Sequence, residues 1–229
     1  MTAALLALAD SRLPAGGHTH SGGVEQAIAA GVVSDPRSLE TFLRRRLTTS
    51  GSTAAGLAAA ACRTAGGPRT GAAPAPAGDR VAALRALDRE AEARTPSPAL
   101  RAASRQQGRG LVRVGRRAWP DPVWDDLPAH PHHPLALGVA AAVAGLAPGD
   151  AAAAAAYLSI TGPATAAQRL LAMDPITVAV VTARLGDAVD EVSAAAVPDA
   201  DGWLPAGTDP LLDLLAEVHA DRTDRFFAS

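Results

Sequence analysis

The stretch LALGVAAAVAGLAPGDAAAAAAYLSI, residues 135–160, decides the fold class. It consists largely of alanine, leucine and valine, and its apolar residues do not alternate with polar ones as they would in a half-buried strand. Alanine has the highest helix propensity and is depleted in strands. The stretch therefore predicts helices at 135–146 and 149–160, with a break near Pro148. Because of that break, and because alanine is only weakly hydrophobic, it does not predict a membrane span.

The same composition extends along all 229 residues, of which 48% are hydrophobic and only 3% aromatic. We therefore expect an all-α protein, a single compact helical bundle of about eight to ten helices spanning 1–229. Two segments without periodicity interrupt it: a predicted flexible linker loop at 65–79 and a predicted Pro-rich loop at 118–134. The other predicted helices are 1–9, 25–31, 34–47, 54–64, 79–94, 98–117, 164–195 (broken near Pro175) and 208–224.

The charged residues and the cysteine exclude several classes of protein. The 21 basic and 23 acidic residues nearly cancel, so no overall field favours nucleic acid or an anionic membrane. All the basic residues are arginine, which excludes a Walker A loop and a lysine Schiff base. Cys62, the only cysteine, lies in an apolar helical stretch and is interpreted as a core residue. No signal peptide is evident, so we expect a cytoplasmic protein.

The segment LADSRLPAGGHTHSGG, residues 8–23, differs most from the rest of the chain. Its glycine pairs, Gly16–Gly17 and Gly22–Gly23, predict a sharp reversal of the backbone, which Asp10 and Ser11 can support with hydrogen bonds. The segment does not match the G-x-S-x-G nucleophile motif or a dinucleotide fingerprint, and no predicted strand precedes it. We therefore expect no catalytic residues and no enzyme activity.

The histidines leave one alternative open. His18 and His20 could place two imidazoles on one Ni²⁺ or Zn²⁺ ion, and His130, His132 and His133 form a second cluster. A catalytic zinc site takes three protein ligands, and no HExxH motif or regularly spaced carboxylate completes either cluster. We predict no tight metal site. His18 and His20 remain candidate ligands, and a nickel- or zinc-binding protein or metallohydrolase is the alternative function.

Four arginines line one face of the predicted helix 98–117, because Arg101, Arg105, Arg109 and Arg113 follow at intervals of four. Like charges at this spacing repel by a few tenths of a kcal/mol per pair unless an acidic group lies opposite. Two interpretations stay open: a solvated face paired with acidic residues of the same fold, or a docking stripe for an acidic protein surface.

The first 28 residues carry a likeness to a known family. LLALADSRLPAGGHTHSGGVEQAI resembles the N-terminal signature of the urease accessory protein UreF family, which reads Leu-x-Asp-Ser-x-Leu-Pro-x-Gly and then His-Ser-Gly-Gly-hydrophobic-Glu. The matching residues are Asp10, Ser11, Leu13, Pro14, Gly16, Gly17, His20, Ser21, Gly22, Gly23 and Glu25. His18 departs from it, since members often carry phenylalanine there.

Later segments, among them an Arg-Leu segment at Arg169 and Leu170, are similar to the same family in the same order. One has the pattern Arg-x-x-Ser-x-x-x-Gly, at Arg101, Ser104 and Gly108. The next has the pattern His-x-Pro-x-x-x-Gly, at His132, Pro134 and Gly138. The last, residues 209–229, looks like the family's closing helix and tail, although Ala220 and Phe226 depart from its usual glutamate and leucine.

The resemblance implies a non-catalytic, all-helical chaperone for nickel insertion into urease. Family members form homodimers, bind UreD (also called UreH) through their C-terminal region, recruit the nickel-carrying GTPase UreG, and engage the urease apoprotein. They modulate GTP hydrolysis, and nickel is handled by the complex, so we expect no cofactor held by this chain. The motif residues of 8–25 are expected to fix the fold or contact a partner.

On this basis we assign partner contacts first to the tail. The residues are Arg222, Arg225, Phe226 and Phe227, because an aromatic pair at an exposed C-terminus is costly unless a partner covers it. A tail folded back onto its own domain is the alternative. A second docking surface is assigned to Arg101, Arg105 and Arg109, which are also the candidates for an arginine finger toward the GTPase.

Overall fold

Helices account for the regular structure of the described residues. The computed structural model describes residues 3–10, 13, 19–66, 77–197 and 204–229. In these ranges the chain contains no strand and forms α1 (Ala3–Ala9), α2 (Val24–Ala29), α3 (Pro36–Arg46), α4 (Ser52–Thr64), α5 (Ala77–Ala93), α6 (Pro98–Ala118), α7 (His133–Val143), α8 (Pro148–Leu170), α9 (Pro175–Arg184), α10 (Gly186–Ala196) and α11 (Pro210–Ala220). A π-helical turn, Leu47–Gly51, joins α3 and α4 into one continuous helix, and the all-α prediction is confirmed.

Several helices begin where a capping side chain precedes proline. Asp35 accepts a hydrogen bond from the backbone N–H of Ser38 at 2.8 Å, and Pro36 occupies the first helical position. Proline suits that position because the N–H that it lacks would have no helical acceptor there in any case. The same pairing of a cap with proline starts α6, α9 and α11, at Ser97, Asp174 and Asp209.

Two predicted helix breaks are wrong. The first, at Thr48–Ser52, is bridged by the π-helical turn. The second, at 161–163, lies inside α8, which continues through Pro163. Proline has no N–H to donate to the carbonyl four residues earlier in a helix, which for Pro163 is the carbonyl of Ser159. Arg46 supplies the missing donor, because its Nε donates to the Ser159 carbonyl at 2.9 Å.

The two predicted loops fall between helices of the structure. Of the segment 65–79, residues 67–76 lie outside the described ranges, and 77–79 already belong to α5. Of the segment 118–134, residues 119–132 lie between α6 and α7 and include a short 3₁₀ helix, Pro122–Asp126, whereas 118 belongs to α6 and 133–134 to α7. No helix of the described ranges is long and apolar enough to cross a membrane.

The core lies where α4 packs against α7 and α8, and alanine dominates its buried side chains. Small side chains let the helix backbones approach one another closely. At Gly138 of α7 a Cβ atom would stand 2.3 Å from the Ala58 carbonyl oxygen of α4. Glycine is therefore required where these two helices touch.

We expect Gly138→Ala to lower the free energy of unfolding by about 1–3 kcal/mol, the usual cost of overpacking a core. Urea denaturation measures the difference. Gly162→Ala is the matched control, because a Cβ atom at Gly162 of α8 meets nothing within 4 Å. In a helix that change should stabilise by about 0.5–1 kcal/mol. Equal stability of the two variants would contradict the close contact at Gly138.

Candidate functional site: the signature turn and the C-terminal tail

The described part of the N-terminal signature forms a tight turn ahead of α2. Gly22 and Gly23 have φ angles of 62° and 89°, in the left-handed region that favours glycine. A Cβ atom on Gly22 would also stand 2.7 Å from Cγ of Pro163, so the turn lies directly on α8. Asp10 lies after α1, and its carbonyl accepts from the Leu13 N–H at 3.0 Å. The remaining predicted residues of this loop lie outside the described ranges: Ser11, Pro14, Gly16, Gly17 and His18.

Glu25, near the start of α2, holds the C-terminal tail. Its side chain is 4% exposed. Oε1 accepts from the backbone N–H of Phe226 at 2.7 Å, and Oε2 accepts from that of Phe227 at 3.0 Å. His219 of α11, itself buried, donates from Nε2 to Oε2 at 2.8 Å. One carboxylate thus connects the signature turn, the last helix and the tail.

Hydrogen bonding decides the charge state of Glu25. Burial alone would raise its pKa, but the N–H of Phe226, the imidazole of His219 and the N–H of Phe227 together outweigh burial. The pKa of Glu25 consequently lies below its ordinary value of 4.5. Glu25 is therefore ionised at neutral pH, which suits an acceptor for three donors.

Further bonds tie the tail to the turn on its other side. The N–H of Ala228 donates to the Thr19 carbonyl at 2.7 Å, and the N–H of Ser21 donates to the Ser229 carbonyl at 2.5 Å. His20 Nδ1 and Ser229 Oγ are hydrogen-bonded at 2.6 Å. The tail backbone is therefore folded back onto its own domain.

The tail side chains differ in exposure. Phe227 packs against the core, whereas Phe226 is 86% exposed. Arg222 donates to Gln26 Oε1 at 3.1 Å and pairs with Asp224, and Arg225 reaches the Ala220 carbonyl. On α11, the apolar side chains of Leu214 and Val218 are also exposed. The folded-back alternative thus describes the tail backbone and Phe227, while Phe226 projects outward.

The predicted arginine face divides into two halves. Arg101 Nε lies 2.9 Å from Glu92 Oε1, and Arg105 pairs with both Asp88 and Glu92 of α5. Their acidic partners belong to the same fold, as the first interpretation of this face expected. Arg109 and Arg113 are exposed and have no ion pair with the described residues. Of the four arginines of this face, Arg109 and Arg113 are thus the two without an ion pair among the described residues.

His132 lies at the centre of a buried junction of α5, α6 and α7. It is 1% exposed, and its backbone N–H donates to Asp88 Oδ1 at 3.0 Å. Its Nε2 donates to Glu92 Oε2 at 2.9 Å, and its Nδ1 accepts from Ser104 Oγ at 3.0 Å. That tautomer follows from the partners, because the carboxylate can only accept. Ser104 Oγ also accepts from the N–H of His133 at 3.1 Å.

This junction explains the two internal motifs. Ser104 and His132 bond to each other, and a Cβ atom on Gly108 would stand 2.0 Å from the Pro131 carbonyl oxygen. These motif residues thus serve to pack α6 against the start of α7. Among the described residues no group of three potential ligands could hold a metal ion. Because His18 lies outside those residues, its pairing with His20 on a metal stays a prediction.

Comparison with known proteins identifies the family of this chain. The family profile described as UreF matches residues 33–186. Urease accessory protein UreF of Mycolicibacterium vanbaalenii is 51% identical over 99% of this chain and 98% of its own length. The proteins of that name from Mycobacterium marinum and Mycobacterium tuberculosis are 50% and 46% identical over the same shares of each chain. The chain belongs to the UreF family of urease accessory proteins.

Proposed function

We propose that this chain is an adaptor for nickel insertion into urease. It joins a UreD (UreH) partner to the GTPase UreG, modulates GTP hydrolysis, engages the urease apoprotein, and works in the cytoplasm as a homodimer. It catalyses no reaction and holds no cofactor of its own, since nickel passes through the assembled complex. Family membership supports the accessory role, and the tail supports the assignment of a partner surface.

The observation that carries the proposal is Phe226. A large apolar side chain that is 86% exposed is costly in water unless a partner covers it. Its backbone N–H is held by Glu25, so the point from which the ring projects is fixed before any partner arrives. Pre-organised aromatic side chains are typical anchors of protein interfaces. Phe226, with Leu214 and Val218 of α11, is our proposed contact for UreD.

A second surface is the outer half of α6. Arg109 and Arg113 project from this helix without ion pairs to the described residues. Arginine forms bidentate bonds with carboxylates, so an acidic protein surface is the expected partner. Arg101 and Arg105, held by Asp88 and Glu92, position α6 for this contact.

We expect Phe226→Ala to weaken binding to UreD by at least as much as the loss of a typical interface hot spot, which is about 2 kcal/mol or roughly 30-fold in affinity. Co-purification with UreD measures the loss. Deletion of 222–229 should abolish binding. Ile176→Ala is the matched control, because Ile176 on α9 is 73% exposed and lies outside the tail. If the deletion leaves UreD binding intact, the tail assignment is wrong.

Deletion of the gene tests the function itself. Without this protein, urease activity of the host should fall, and excess nickel should restore it only in part, because insertion rather than supply is limiting. Normal urease activity in the deletion strain would contradict the proposed role.

A further inference from the structure

A groove lies between α3 and the start of α11. The buried side chains of Phe42 and Leu212 form its floor, and Val32 and Leu211 lie along its edge. Its volume is about 290 Å³. A cavity of roughly 150 Å³ in a protein core holds a molecule as large as benzene, so the groove has room for the side chain of a leucine or a phenylalanine.

The hydroxyl groups in the α3 wall of this groove are bonded within α3. Thr41 Oγ1 donates to the Arg37 carbonyl at 3.1 Å, and Ser38 Oγ donates to the Asp35 carbonyl at 3.0 Å. A hydroxyl has one proton to donate, so neither group has a donor left for a ligand. The groove therefore suits an apolar side chain.

An ion pair holds the two walls of the groove together. Arg45 of α3 donates from Nε and Nη2 to the two carboxylate oxygens of Asp209, each at 2.9 Å. Asp209 also caps α11, because its Oδ1 accepts from the Leu211 N–H at 3.0 Å. The start of α11 is thus fixed against α3 before any ligand enters the groove. A preformed groove loses less conformational freedom on binding.

The groove continues into an apolar stripe along α11. Leu211, Leu214 and Val218 follow at intervals of three and four residues, so they lie on one face of the helix. Leu211 lines the groove, whereas Leu214 and Val218 are exposed and belong to the surface assigned above to UreD. At 1.5 Å per residue the stripe is about 10 Å long. A partner element that covers the whole stripe therefore reaches the groove.

Arg37 brings a positive charge to this groove. It is exposed, and its guanidinium has no ion pair or hydrogen bond with the described residues. Asp35, the carboxylate closest to it in the chain, accepts from the Ser38 N–H at 2.8 Å and so caps α3. Because a guanidinium pairs readily with a carboxylate, an acidic group on a ligand beside the groove would be attracted to Arg37.

We propose that the groove between α3 and α11 receives one large apolar side chain of UreD, and that a carboxylate next to this side chain in UreD pairs with Arg37. The inference rests on the proposed function, because it extends the surface around Phe226 along α11. It adds the chemistry of the partner segment: apolar residues that cover the α11 stripe, one of which enters the groove, with an acidic residue beside it.

Thr41→Trp tests whether a UreD side chain enters the groove. Thr41 is exposed and lines the groove, so an indole at this position fills the space without disturbing the core. We expect the affinity of the full chain for immobilised UreD, measured by surface plasmon resonance, to fall about tenfold or more. The melting temperature should stay unchanged. Ala179→Trp, at an exposed position of α9, is the control and should bind as the native chain does.

Arg37→Glu tests the ion pair. Charges at the rim of an interface act mainly on the association rate, and salt screens them. In the same experiment this variant should associate with UreD about tenfold more slowly at low ionic strength, and the difference should largely disappear at about 1 M salt. Arg85→Glu, at an exposed position of α5, is the control. Replacing the partner carboxylate of UreD by arginine should restore fast association to Arg37→Glu.

The outcomes separate this inference from the proposed function. If Thr41→Trp binds UreD with native affinity while Phe226→Ala binds more weakly, the groove is not occupied, and the inference is overturned although the tail assignment stands. A native association rate for Arg37→Glu at low ionic strength would overturn the ion pair. If the native chain does not bind UreD, the proposed function and this inference both fail.

Discussion

Glu25→Gln should lower the free energy of unfolding by about 1–3 kcal/mol and release the C-terminal tail, since it leaves a buried hydrogen-bond donor without its acceptor. Glu25 is 4% exposed and His219 is 2% exposed. Glutamine has nearly the same shape but replaces one acceptor oxygen by an NH₂ group. That group would face the N–H of Phe226, or else the N–H of Phe227 and the imidazole of His219, so at least one buried donor loses its acceptor.

Two measurements separate release of the tail from general loss of stability. Amide hydrogen exchange at Phe226, Phe227 and Ala228 should speed up in Glu25→Gln under conditions where the core amides stay protected. Urea denaturation gives the change in unfolding free energy. Glu191→Gln on α10, an exposed glutamate, is the control and should change neither quantity. Unchanged exchange at the tail amides would show that Glu25 does not hold it.

The pH dependence of this contact follows from the lowered pKa of Glu25. A carboxylate whose folded pKa is depressed contributes its full stability above its unfolded pKa and loses it as the pH falls through the folded value. For Glu25 the ordinary value is 4.5, so the tail should stay docked at neutral pH and be released below that value. The Glu25→Gln variant should lack this transition, which would show that the release of the tail follows the protonation of Glu25.

Helices and their starts could be predicted from the sequence because they depend on neighbouring residues. Asp35 followed by Pro36 predicts a helix start, and the structure has it there. Alanine-rich segments predict helices that pack closely, and Gly138 lies where α7 touches α4. Propensity and capping act over a few residues, so one sequence suffices to read them.

Contacts between residues that are distant in the chain could not be predicted from the sequence. Glu25 matched a family motif, but its bond to His219 joins residues 194 positions apart. The signal available was a histidine in the apolar helix DPLLDLLAEVHA, since a buried histidine requires a polar partner. The break predicted at Pro163 is wrong because it also depends on a contact between distant residues. Arg46 satisfies the Ser159 carbonyl, and nothing near Pro163 in the sequence indicates that contact.

His132→Ala should lower the free energy of unfolding by about 2–4 kcal/mol, which combines a cavity with the loss of buried hydrogen bonds. The imidazole of His132 connects α5 to α6 through Glu92 and Ser104, and alanine keeps only the backbone bond to Asp88. His130→Ala is the matched control, because His130 is exposed and its carbonyl, which accepts from Arg105, is retained. Equal denaturation midpoints for the two variants would contradict a structural role for His132.

The pH profile distinguishes a buried neutral histidine from a charged one. Burial lowers the pKa of His132 and outweighs the hydrogen bond to Glu92, which favours the charged form. A histidine with a depressed pKa contributes its full stability above its unfolded pKa, 6.5, and loses it as the pH falls through the folded value. The difference in unfolding free energy between the native chain and His132→Ala should therefore be constant above pH 6.5 and shrink below it. A difference that grows on acidification would mean that His132 binds Glu92 as a cation, and the junction of α5, α6 and α7 would then depend on an ion pair.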